Sequence, residues 1–255
     1  MAGTLTLVIP CYNEVARIDL DRFGAFRSSH PSVRLLFVDD GSTDGTAERL
    51  EQFVAPFGPD AQVLRQGVNR GKGEAVRSGL QRARADGAAI VGFLDADLST
   101  PLDAVLDLAS ILDQRPEIHW VTAARVRLLG RDIQRRAVRH YLGRAFATAA
   151  SLILAMPVYD TQCGAKLFRA TAELDEVLAR PFVSRWVFDV EMISRFDQIR
   201  SRTGGRPAAD SIYEYPLASW SDVPGSKVKP RDFARAFVDL VKIWRDRAGF
   251  RGRPT

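Results

Sequence analysis

The chain has 255 residues, of which 46% are hydrophobic and 26% charged, with a formal net charge of +5. That length allows one large domain with a full core, or one domain with an elaborated end, and no apolar run reaches the roughly 18 residues of a membrane-spanning helix. The two cysteines, Cys11 and Cys163, lie far apart without metal-ligand spacing, so neither a disulfide framework nor a zinc site is suggested, and a reducing cytoplasm fits best.

The opening "MAGTLTLVIP" lacks a basic leader and reads directly as a core strand, so no signal peptide is expected. Short β-rich runs at 4–10, 33–39, 61–66, 89–95 and 118–124 predict strands. Between them, 13–29, 43–57, 73–87 and 101–115 carry apolar residues at helical spacing. Such alternation predicts an α/β fold with a mostly parallel sheet flanked by helices, whose ligands gather at the carboxyl ends of the strands. After about residue 125 the pattern changes. A basic-then-apolar helix is expected over about 131–156, then the irregular "YDTQCGAKLFR" and two shorter helices. A strand over 211–217, the loop "ASWSDVPGSKVKP" and a final amphipathic helix "RDFARAFVDLVKIWRDR" follow, while "SRTGGRPAAD" at 201–210 reads as a flexible loop.

The chemistry-bearing residues collect at the predicted strand ends. In "VGFLDADLSTP" an apolar run closes on Asp95 and Asp97, which in an extended chain point the same way and converge just beyond the strand. A polar strand end, with Asp97 or Ser99 capping the helix opened by Pro101, accounts for the same residues. "VIPCYNE" brings Tyr12 and Glu14 to the end of the first strand, and "VDDGSTDGT" brings Asp39 and Asp40 to the end of the second. Carboxylates at three strand ends make an acidic pocket that needs a cation or ligand donors. "NRGKGEAVRSG" has neither Walker nor GxGxxG spacing, yet it places Arg70, Lys72 and Arg77 to approach a diphosphate or a nucleobase; a solvated basic helix start is the alternative. The positive net charge favours an acidic partner without choosing among nucleotide, nucleic acid and anionic lipid. The three histidines form no ligand pair.

Taken together, these motifs resemble the glycosyltransferase family 2 enzymes with the GT-A fold, over nearly the whole chain. "LDADLSTP", "GKGEAVRSG", "DTQCGAKLF" and "RWVFDVEM" are most similar to the polyprenyl-phosphate (dolichyl-phosphate) glucosyltransferases. The resemblance implies a Rossmann-like GT-A sheet with a nucleotide-sugar-binding half at 1–125 and a helical and β acceptor-binding half at 126–255. It assigns Pro10, Tyr12, Glu14, Asp39, Asp40, Lys72, Asp95, Ala96, Asp97 and Lys227 to the nucleotide sugar, and Asp95 and Asp97 to Mg²⁺ or Mn²⁺. Asp160, Gln162, Lys166 and Glu191 fall to the acceptor or the sugar, and Asp97, Arg125, Arg139 and Asp189 to catalysis. Ser99 stands where similar mannose-transferring enzymes often carry a Gln near the metal, and Ala165 where the family usually has Phe.

The activity so implied is inverting, metal-dependent transfer of glucose from UDP-glucose to a polyprenyl phosphate. It would take place peripherally at the cytoplasmic face of an anionic membrane, with no nucleic acid partner. A lipid monophosphate is an anionic nucleophile already, so arginines that orient it replace a general base. A sugar hydroxyl would instead need a carboxylate base, Asp189 or Asp160. The alternatives are transfer from another nucleotide sugar to a soluble or glycan hydroxyl, and a nucleotide-sugar-binding regulator without activity.

Overall fold

The computed structural model describes residues 4–134, 137–223 and 230–251. Strands β1 (Leu5–Cys11), β2 (Val33–Asp39), β3 (Ala61–Arg65) and β4 (Ile90–Leu94) pair in parallel, in the order β3-β2-β1-β4. β5 (Trp120–Ala124) does not join β4 directly. A strand from the second half of the chain, β7 (Ala165–Arg169), lies antiparallel between them, and β8 (Ile212–Pro216) closes the seven-stranded sheet parallel to β5. The short strands β6 (Asp132–Gln134) and β9 (Ser219–Ser221) form a separate parallel pair.

Alternation along β1 sends Leu5, Leu7 and Ile9 to one face of the sheet and Val8 to the other, and the two cores follow from this. The first core takes Phe23 from α1 (Leu20–Ser29), Leu50 from α2 (Thr46–Val54) and Leu108 from α4 (Ala104–Gln114). The second takes Leu80 from α3 (Lys72–Ala85), Phe146 from α5 (Ala137–Leu154) and Leu174 from α6 (Ala172–Leu178). Phe196 of α7 (Phe188–Thr203) and Leu240 of α8 (Pro230–Arg251) complete it. Close backbone approach explains Gly92: a Cβ there would sit 2.3 Å from the Lys166 carbonyl of β7.

Several elements depart from the sequence expectation. The first helix starts at Leu20 rather than near residue 13, because Asn13 is left-handed (φ 51°) and Asp19 accepts from Arg22 N as N-cap. The expected 131–156 helix begins instead as β6, and α5 ends at Leu154 before Ala155 (φ 53°). "YDTQCGAKLFR" holds the central strand β7, and the expected loop at 218–230 holds β9. The 201–210 stretch is tied down: α7 runs to Thr203 and ends on left-handed Gly204, Arg200 Nε donates to the Arg206 carbonyl at 2.6 Å, and Ala208 is buried.

Candidate active site

The carboxyl ends of β1 and β4 open into a cleft of about 1000 Å³, whose opposite wall comes from α5, α8 and the 183–186 and 220–223 segments. Pro10, Tyr12, Glu14, Asp40, Lys72, Asp95, Ala96 and Asp97 line it from the first half of the chain, and Arg125, Asp160, Gln162 and Asp189 from the rest.

Asp95 and Asp97 are not on an extended strand. β4 stops at Leu94, the chain turns with Leu98 N donating to Asp95 O, and Leu98 is left-handed at φ 53°. Each carboxylate therefore meets its own cation. Lys72 Nζ sits 2.6 Å from Asp95 Oδ1, and Arg17 Nη2 lies 3.6 Å from Asp97 Oδ2. Asp97 Oδ1 also accepts from Ser99 N at 3.0 Å, so the turn-capping role and the cleft-lining role coexist in one side chain. Gly164 is the residue opposite: its carbonyl accepts from Asp95 N, and a Cβ would fall 2.1 Å from Asp95 Oδ2.

Lys72 owes its place to a loop clamped from both sides. Asp40, buried, accepts from Arg70 N at 2.7 Å and Gly71 N at 2.8 Å, while Arg185 donates to the carbonyls of Arg70 and Asn69, both at 2.9 Å. Gly71, at φ 98°, admits the Arg185 side chain where a Cβ would meet its Nε at 2.6 Å. Burial alone would pull the Lys72 ammonium down, but Asp95, Asp189 and Asp97 outweigh it and hold its pKa above the ordinary lysine range. Arg77 takes no part, since it pairs with Glu74 and donates to the Leu178 carbonyl. Asp39 is buried beside Asp40; one oxygen accepts from Ser42 N, and Oδ1 has no hydrogen-bond partner among the described residues.

Lys166 of β7 does not line the cleft: it is buried behind it, 2.7 Å from the lining Asp189 Oδ1 of α7, and donates to the Cys163 carbonyl. Burial pushes the Asp189 carboxyl above the ordinary range, opposed first by Lys166 and then by Lys72. Arg125 is gripped by Asp160 through Nε at 2.7 Å and Nη2 at 2.8 Å, and its guanidinium lies 5.2 Å from the Trp220 ring. Gln162 brings a buried Nε2 without a hydrogen-bond partner among the described residues. Glu191 is placed elsewhere: it accepts from Val183 N and Ser184 N, pairs with Arg195 at 2.6 Å, and holds the 177–184 segment against α7. The side chain of Arg139 and the whole of Lys227 lie outside the described residues.

The sequence reading missed Arg17, Arg185, Gly164, Trp186 and Trp220. The "DTQCG" stretch carried a signal for Gly164, a glycine between apolar residues with no turn to form. Arg185 and Trp186 open "RWVFDVEM", where the resemblance pointed only to Asp189 and Glu191, and Arg17 and Trp220 sit in segments without a motif.

A mixed α/β sheet with acidic side chains at its strand ends, facing a cleft closed by the second half of the chain, is the arrangement of the GT-A fold class. Residues 6–173 match the family model for Glycosyl transferase family 2, and the chain belongs to that family. It is 30% identical over 250 residues to a dolichyl-phosphate beta-glucosyltransferase of Trichomonas vaginalis, covering 93% of this chain and 70% of that protein. Saccharomyces cerevisiae dolichyl-phosphate beta-glucosyltransferase is 31% identical over 263 residues, covering 95% and 72%. Among solved structures, the fold resembles Mycobacterium tuberculosis glucosyl-3-phosphoglycerate synthase in complex with Mn²⁺, UDP-glucose and phosphoglyceric acid. The TM-score is 0.68 at 21% identity, over 97% of this chain and 80% of that one. A mannosyltransferase of Pyrobaculum calidifontis in complex with GDP-Man and Mn²⁺ has a TM-score of 0.63 at 19% identity, covering 100% and 66%.

Proposed function

We propose that the chain transfers glucose from UDP-glucose to a polyprenyl phosphate, in one inverting displacement, as a peripheral enzyme at the cytoplasmic face of a membrane. The observation that carries the acceptor class is the state of Asp189. Its carboxylate is ion-paired with buried Lys166 at 2.7 Å, which occupies the residue best placed to take a proton from a hydroxyl. A phosphate monoester, with its second pKa near 6, needs no such base. Arg125 supplies the orientation instead, through a fork already held by Asp160 and set against the Trp220 ring. The names of the relatives support the same acceptor and sugar.

Asp39 and Asp40 then divide the work at the nucleoside end. Asp40 fixes the 69–72 loop, and the uncommitted Asp39 Oδ1 accepts an N–H from the base. Asp95 and Asp97 are the protein oxygens offered to Mg²⁺ or Mn²⁺. Among the described residues no third His, Cys, Asp or Glu joins them, which suits a hard cation that keeps water and substrate oxygens in its shell. When bound, that ion supplies positive charge against the departing diphosphate. Lys72, paired with Asp95, lies beside the same oxygens and adds a fixed charge.

A hydroxyl acceptor is the second reading, favoured by the upward shift of Asp189 on burial, which brings a carboxylate closer to a working base. Incubating the protein with radiolabelled UDP-glucose, other nucleotide sugars and polyprenyl phosphate tests the choice. Label from UDP-glucose should enter the organic phase, and EDTA should stop it. Label that stays in the aqueous phase with every donor overturns the lipid-phosphate reading.

A further inference from the structure

Two arginines of the cleft converge on one dipeptide corner, Tyr159–Asp160. Asp160 grips Arg125 through both carboxylate oxygens and also accepts from Arg125 N at 3.1 Å. Arg144, arriving from α5, lies with its guanidinium 4.1 Å from the Tyr159 ring centroid and donates from Nη1 to the Tyr159 carbonyl at 3.3 Å. The corner itself is set from β8. Glu214 accepts from Tyr159 N at 2.8 and 2.9 Å and from Asp160 N at 2.8 Å. Burial raises the Glu214 carboxyl above its ordinary range, and the two backbone amides oppose that shift.

Each arginine commits only part of its fork to the corner. Among the described residues no group accepts from Nη1 of Arg125, or from Nε and Nη2 of Arg144. Both side chains line the cleft that holds Lys72, Asp95 and Asp189. A planar guanidinium with uncommitted donors, placed against an aromatic ring, matches the oxygens of a phosphate group. The neighbouring turn of α5 lines the same wall with Phe146 and Ala147, so a phosphate at Arg144 would have apolar surface beside it.

We infer that Arg144 binds the acceptor's phosphomonoester together with Arg125, and that Glu214 is the positioning residue that sets the corner from which both are aimed. The inference rests on the proposed phosphate acceptor. Its test therefore reads binding separately from transfer.

Farnesyl phosphate is titrated into the full chain in the presence of UDP, by calorimetry. Arg144→Gln should weaken farnesyl phosphate binding about 10- to 100-fold, the loss expected for a charge-assisted pair of hydrogen bonds, and leave UDP affinity unchanged. Glu214→Ala should weaken farnesyl phosphate in the same way. Glu214→Gln, whose amide oxygen still accepts from both backbone N–H groups, should restore it, a rescue that a loss of general stability would not give. If Arg144→Gln binds farnesyl phosphate as tightly as wild type, or loses UDP equally, the inference fails. Wild type that binds farnesyl phosphate without glucosylating it sinks the acceptor reading alone. Wild type that binds no farnesyl phosphate sinks both.

Discussion

At the scale of single residues, the site is built from charges that neutralise one another inside the protein. Asp95 with Lys72, Asp189 with Lys166 and Asp160 with Arg125 are each within 2.8 Å, and all but the buried Lys166 line one cleft. Removing one partner of a buried pair leaves a desolvated charge and typically costs about 3–5 kcal/mol. Lys166→Met makes the sharpest case because both partners are buried. Asp189 already has a folded-state pKa above its unfolded value, and without Lys166 it would rise further. Within the window between those two values the folded chain binds more protons than the unfolded one, so stability falls as pH rises. The variant should therefore unfold at a lower temperature than wild type at pH 7.5, and the gap should narrow as pH falls towards the ordinary carboxylate range. Thermal melts at a series of pH values check this; a gap that is constant with pH would show that Asp189 is not the group left exposed. Asp95, Asp97 and Lys72 could be picked out in the sequence because strand ends and helix starts announce themselves, whereas Asp189 came only with the resemblance carried by "RWVFDVEM". Arg17 and Trp220 could not, because a pairing between distant loops has no local signature.

At the scale of elements, the periodicity of the first half was readable because each strand is long enough to alternate and each helix buries one stripe. β7 escaped for a physical reason. Its five residues, "AKLFR", include a lysine, and nothing local shows that Lys166 is buried by an ion pair with α7. β6 and β9, three residues each, are shorter than any alternation can reveal. The helices α5 and α8 were expected, and their packing was not: Phe146 and Phe237 meet edge to face with centroids 6.0 Å apart. Each helix leaves apolar side chains outside. Leu152 is 78% exposed on α5, and Val238, Val241 and Trp244 are about half exposed on α8, where Lys242 and Arg245 stand among them. No helix among the described residues is long and apolar enough to cross a membrane. Amphipathic helices of this kind can lie on an anionic membrane surface, where each Lys or Arg contributes about 1 kcal/mol. The chain should float with anionic liposomes at low salt and less at high salt, and Val241→Glu should weaken flotation without shifting the melting temperature. Absence of flotation at low salt would favour a soluble acceptor.

At the scale of the whole molecule, the expected division at residue 125 meets the strand order. Read along the sequence, 1–125 looks like a complete nucleotide-sugar-binding half, since it contains β1 to β5 and the carboxylates Asp39, Asp40, Asp95 and Asp97. In space, β4 and β5 are held apart by β7, which comes from residues 165–169. Cut at 125, β4 loses its neighbour on one side and β5 loses both. Phe93 and Trp120, both fully buried, lose Phe168, which stacks at 6.3 Å on the first and meets the second edge to face at 4.9 Å. Lys72 and Asp95 would also lose Gly164, Arg185 and Asp189, which bound them in the intact cleft. Two uncovered aromatic side chains and unpaired strand edges make a fragment that aggregates rather than folds. We therefore predict that residues 1–125 expressed alone show no cooperative thermal transition and bind no UDP, whereas the full chain does both. Circular dichroism melts and calorimetry with UDP decide it. A soluble fragment that melts cooperatively and binds UDP would mean that the first half is a domain in its own right, and that β7 is an addition to its edge rather than the piece that completes it.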